Sequence, residues 1–140
     1  MITNEFQKKK TLGFINSFEK EIKKLKQKEK ISKIEKLQIT ATLSQIDDLK
    51  IQVQEYENIK KSGKKFRFNL SSLENLPEAL IKARIASDMT QKELASKLNM
   101  KEQQLQKYES NEYRMVNLKT LIYIGKIMNL RIKNGNIQFN

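Results

Sequence analysis

The stretch Thr90-Gln91-Lys92-Glu93-Leu94-Ala95-Ser96-Lys97-Leu98-Asn99-Met100-Lys101-Glu102-Gln103-Gln104-Leu105-Gln106-Lys107-Tyr108-Glu109 decides the fold of this chain. Thr90, with Glu93 three residues on, makes a capping box that satisfies backbone N–H groups left open by a first helical turn. Leu94, Ala95 and Leu98 recur at helical spacing and predict a short amphipathic helix. Asn99, tolerant of left-handed backbone, ends it. A second helix restarts near Lys101, with Leu105 and Tyr108 inward and Glu102, Gln103, Gln104, Gln106 and Lys107 outward. The small Ala95 lets the two helices approach closely at a steep angle. This is a helix-turn-helix pattern whose second helix offers solvent a face of amides and ammonium groups.

Working outward, residues 76–130 resemble a DNA-binding domain of the XRE family, the group of lambda repressor and Cro. The residues that carry the resemblance are Leu80-Ile81-Lys82-Ala83-Arg84, Thr90-Gln91-Lys92-Glu93-Leu94-Ala95, Leu105, Tyr108-Glu109, Leu118, Leu121 and Leu130. Asn99 and Asn111 stand where the family usually has glycine, and no fifth-helix pattern follows Leu130. Asparagine is the next-best residue in a left-handed cap, so the fold is expected to survive both exchanges. The fold class implied is mostly α: a lambda-repressor-like domain at 64–140, preceded at 1–63 by a long helical arm.

Composition points the same way. The chain has 140 residues, no Cys and no His, which removes thiol and imidazole chemistry, disulfides and the common zinc sites. Lys plus Arg number 28 against 16 acids, a formal charge of +12 that favours a polyanion. Lysine-rich solvated helices explain that charge equally well when it is considered alone. No run reaches the length of a membrane span and no signal-peptide core opens the chain, so a cytoplasmic protein with no membrane partner is expected.

From Asn4 to about Lys61 there is no proline and one glycine, Gly13. Leu12, Ile15, Phe18, Ile22 and Leu25 form one stripe, and Ile39, Leu43, Ile46, Leu49, Val53 and Tyr56 a second. Two helices broken within 27–32 fit this pattern best, and one long bent helix is the alternative. A narrow stripe needs covering, either by the other half folded back or by a second chain as a coiled coil. The arm is also the more basic part, with 17 basic and 9 acidic side chains in residues 1–70. Beyond it, the alternation of Phe66, Phe68 and Leu70 predicts a short strand. A small hairpin around Asn134-Gly135 is expected at the C-terminus and could pair with that strand.

The resemblance assigns the binding residues. Gln91 matches a position that holds a DNA phosphate, and as a helix N-terminus it sits where anions are favoured. Glu102, Gln103 and Lys107 match positions that reach base edges in the major groove. Lys101, Gln104 and Gln106 flank that surface, while Arg114 and Asn117 lie in or end the loop that runs along the duplex backbone. Arg84 and Glu109 match a buried ion pair that ties the first helix to the recognition helix. The implied function is a sequence-specific repressor bound to double-stranded DNA as a homodimer. The whole-chain layout also resembles HigA-type antitoxin regulators, which implies autorepression and a toxin partner. The competing reading is a protein-interaction adaptor whose arm docks a partner and whose helix-turn-helix no longer binds DNA. No cofactor or metal site and no set of catalytic groups is legible, so an enzyme is not expected.

Overall fold

The computed structural model describes residues 1–131, and the chain divides into two compact units, Met1–Lys61 and Ser62–Asn140. The first unit is a helical hairpin of α1 (Glu5–Lys26) and α2 (Lys33–Ser62). Asn4 starts α1 by accepting the Gln7 N–H at 2.8 Å. Ser32 and Glu35 start α2 reciprocally: the Ser32 N–H donates to Glu35 at 2.8 Å, and the Glu35 N–H to the Ser32 hydroxyl at 3.2 Å. Lys28 adds an ion pair to Glu35 at 2.5 Å across the turn. That lysine first, and Ser32 next, hold the Glu35 carboxyl at a pKa of about 2.

The helices run antiparallel, as the pairs between them show. Lys60 reaches Glu5 at 2.7 Å, Lys8 reaches Glu57 at 2.9 Å and Lys50 reaches Glu19 at 2.8 Å. Of the two arrangements open to the arm, the sequence therefore adopts the hairpin. Its seam consists of Ile15 and Ile22 against Ile39, Ile46, Val53, Tyr56 and Ile59. Leu12 and Leu43, expected in the apolar stripes, remain exposed. Two helices cover only the positions nearest their line of contact, and the flanks of a wider stripe stay wet.

The second unit begins with two 3₁₀ turns, Gly63–Lys65 and Leu73–Asn75. The strand expected at 65–70 does not form: residues 66–71 carry no regular structure. An extended segment needs a ladder partner, and none lies among the described residues. The alternation was nevertheless meaningful, because Phe66, Phe68 and Leu70 are half-buried while Arg67 and Asn69 are exposed. Phe68 also packs its ring under the Lys82 ammonium at 5.5 Å. The C-terminal hairpin and the expected lack of a fifth helix both fall outside the described residues.

Four helices follow: α3 (Leu76–Ala86), α4 (Gln91–Lys97), α5 (Glu102–Ser110) and α6 (Leu118–Ile127). Pro77 sits in the first turn of α3, where its missing N–H has no helical partner to lose. Each helix contributes one large side chain with no exposure at all, Ile81, Leu94, Leu105 and Ile124, and α4 adds the small Ala95. Leu98 and Leu121, expected in the core, are half-buried at its margin.

All four helices stop in the same way, with one residue turned left-handed: Asp88, Asn99, Glu112 and Asn129 at φ between 51° and 55°. Behind each, an N–H folds back five residues, for example Met100 to the Ala95 carbonyl at 3.0 Å and Tyr113 to the Tyr108 carbonyl at 2.8 Å. Asn99 takes the left-handed role its sequence position implied. Asn111 does not, with φ −97°; the turn falls one residue later, on Glu112, and continues through Tyr113 at φ 55°.

Candidate nucleic-acid interface

The site begins with the device that fixes α5 against its neighbours. The Arg84 guanidinium on α3 grips the Glu109 carboxylate on α5 through two bonds, of 2.5 and 2.7 Å. A third Arg84 donor reaches the Met89 carbonyl at 2.9 Å. Gln91, at the start of α4, donates its amide to the same Glu109 carboxylate at 2.7 Å. Three helices therefore meet on one buried carboxylate. Such a bidentate pair is directional, so it sets the orientation of α5 as well as its position. The Tyr113 hydroxyl is buried close by, with no hydrogen-bond partner among the described residues. Burial first, then the Glu109 charge, push its phenol above the ordinary range.

The structure places Gln91 differently from the sequence reading. Its side chain is 5% exposed and committed to Glu109, so the amide expected on a phosphate points inward. The carboxylate would be left with one donor fewer if that amide turned outward, which is the physical reason it stays.

The capping box legible at Thr90 is present in full. The Thr90 N–H donates to Glu93 at 2.7 Å, and the Glu93 N–H donates to the Thr90 hydroxyl at 3.1 Å. The Thr90 N–H first, and next the Thr90 hydroxyl, which also donates to that carboxylate at 2.8 Å, hold the Glu93 carboxyl below its usual range. Six residues, Lys101, Glu102, Gln103, Gln104, Gln106 and Lys107, are exposed together on α5 and its N-cap. They are not equivalent. Gln106 donates to Glu102 at 3.1 Å, and Gln104 donates to the Tyr108 hydroxyl at 2.8 Å. The side chains of Gln103 and Lys107, one turn apart on a single face, make no bond to the rest of the described residues. The Glu102 carboxylate is thus tied to a neighbouring amide on the same helix, at the positive helix end where it is favoured.

The loop after α5 holds the remaining assigned residues. Arg114 is exposed and pairs with Glu112 at 3.0 Å. Asn117 caps α6, its side-chain oxygen accepting the Thr120 N–H at 2.9 Å, which leaves its NH₂ to donate outward. Two residues were not assigned to the site from the sequence, where Tyr108 was read only as an inward-facing residue. Tyr108 orients Gln104, and Met115, 88% exposed, lines a groove of about 340 Å³ with Lys107, Tyr108 and Val116. A bulky apolar residue between Arg114 and Asn117 was the available clue to Met115.

The fold and this polar face together define a helix-turn-helix domain. Residues 80–133 match the helix-turn-helix family model, so the second unit belongs to the XRE family, a family of DNA-binding transcription regulators. The match lies within that unit and does not reach the hairpin. Comparison with curated proteins and with solved structures gives no match. No helix among the described residues is long and apolar enough to cross a membrane.

Proposed function

We propose that the protein is a sequence-specific DNA-binding repressor that acts as a dimer and reads bases with Gln103 and Lys107. The observation that carries this reading is the sorting of the α5 face. Its other amides and the Glu102 carboxylate are held by neighbours, while these two long polar side chains project together without partners among the described residues. Glutamine matches adenine bidentately, and lysine matches guanine. Lys101, Arg114 and the Asn117 amide are suited to phosphates and fix register, whereas Gln91 supports the site from beneath. Selection of bound sequences from random duplexes tests the reading. A recurring motif with two half-sites is expected, and unselective recovery would contradict sequence-specific reading.

Dimerisation is assigned to the hairpin. Leu12, Phe14, Leu43 and Ile51 are exposed along it, more apolar surface than a free-standing pair of helices usually leaves wet. A second hairpin would convert the arrangement into four helices and bury both flanks. Light scattering on the whole chain against the second unit alone separates the alternatives. If the second unit remains a dimer by itself, the arm is the surface for another protein, such as the toxin implied by the HigA-type layout.

A further inference from the structure

The turn end of the hairpin carries charge in places where helix physics disfavours it. Residues 20–36 contain eight lysines and three glutamates. Lys23, Lys24 and Lys26 lie in the last turn of α1, where the negative helix end accounts for them. That account fails for Lys33 and Lys36, which sit in the first turn of α2, at the positive end of the helix dipole. It fails also for Lys28 and Lys30 in the turn itself. Among the described residues only Lys28 of these eight has a carboxylate partner, Glu35. The acid that could relieve Lys20 or Lys23, Glu21, is bonded instead to Gln38 at 3.3 Å. The result is seven exposed ammonium groups without an ion-pair partner among the described residues at one end of the hairpin, an excess of positive charge that Glu21 and Glu29 offset only in part.

We propose that this lysine-rich turn is a second nucleic-acid site, which grips duplex phosphates without reading sequence. The inference rests on the DNA-binding reading of the second unit. A duplex is the occupant favoured because the same chain carries a helix-turn-helix domain that would hold it nearby. A weak site tethered to a bound ligand acts at high effective concentration. Helix α2 spans about 45 Å at 1.5 Å per residue, so the turn is carried far from the junction at Ser62. Such a site suits phosphates outside the bases that the recognition helix reads.

The test compares the full chain with a variant in which Lys23, Lys24, Lys26 and Lys30 are all glutamine. None of these side chains is buried or ion-paired, and circular dichroism checks that the variant is folded. Binding is measured against salt on duplexes of about 12 and about 40 base pairs, that is about 40 and about 140 Å at 3.4 Å per pair. On the long duplex the slope of log K against log salt should flatten by about two to four in the variant, near 0.9 per lost phosphate contact. On the short duplex the two proteins should agree more closely. Equal slopes on the long duplex, with binding retained, overturn the second site and leave the recognition helix untouched. Failure of the wild-type chain to bind either duplex overturns both readings. Vesicles containing phosphatidylserine provide the remaining arm. Binding to them that the variant loses, beside unchanged duplex slopes, overturns the proposal in favour of a membrane surface.

Discussion

Among the described residues both units have helices as their only regular structure, yet they are stabilised in different ways. In the second unit four helices cross, and Ile81, Leu94, Leu105 and Ile124 are sealed completely. In the hairpin no large apolar side chain is fully sealed, the nearest being Ile46 at 2% exposure. Two parallel cylinders share a line, whereas crossing helices enclose a volume. Polar groups follow suit. The domain buries its ion pair and uses it to orient α5; the hairpin leaves Lys60–Glu5, Lys8–Glu57 and Lys50–Glu19 at its surface. The lesson is that the ion pair specifies geometry in the domain, whereas the solvated ion pairs of the arm add only weak register.

The contrast is most exposed to failure at Glu109. Glu109→Ala strands a buried guanidinium and should cost the domain about 3–5 kcal/mol in urea unfolding. A loss no larger than about 0.5 kcal/mol, as for a surface substitution, would mean the network does not orient α5. Next in size is recognition. Gln103→Ala and Lys107→Ala should each cost about 1–3 kcal/mol of affinity at one base position, measured on a panel of single-base variants of a selected duplex. Uniform weakening across the panel would reassign them to phosphates.

Glycine sharpens the comparison, because it should act with opposite sign in the two units. Gly13 lies inside α1 with open space where a Cβ would stand, so Gly13→Ala should stabilise the arm by about 0.5–1 kcal/mol. Glu112 is exposed and left-handed, so Glu112→Gly should stabilise the domain by a similar amount, about 0.5–1 kcal/mol. Thermal melts in which either change lowers the midpoint would show that its backbone has been misread. The smallest expected effect is Lys50→Ala, which should leave the urea unfolding midpoint nearly unchanged, since both partners of that pair face water.

The hairpin turn adds a pH dependence. Glu35 has a folded pKa of about 2 against an ordinary 4.5, so its contribution is complete above 4.5 and disappears as pH falls toward 2. Amide exchange in the first turn of α2 should therefore quicken over that window, and a flat profile would remove the Lys28–Glu35–Ser32 cap from the account.

The sequence by itself determined what depends on neighbours along the chain. The Thr90 capping box, the left-handed stop at Asn99, the break within 27–32 and the seven-residue spacing of Ile39, Ile46 and Val53 are each local, and each was legible. The outward set on α5 could be named from helical spacing for the same reason. Tertiary structure decided what depends on partners distant in sequence. Gln91 turned inward because a carboxylate eighteen residues away requires its amide. Leu12 and Leu43 stayed exposed because a single facing helix is too narrow to cover them. Residues 65–70 kept the alternating burial of a strand without becoming one, because a strand is defined by the hydrogen bonds of its neighbour and not by its own residues.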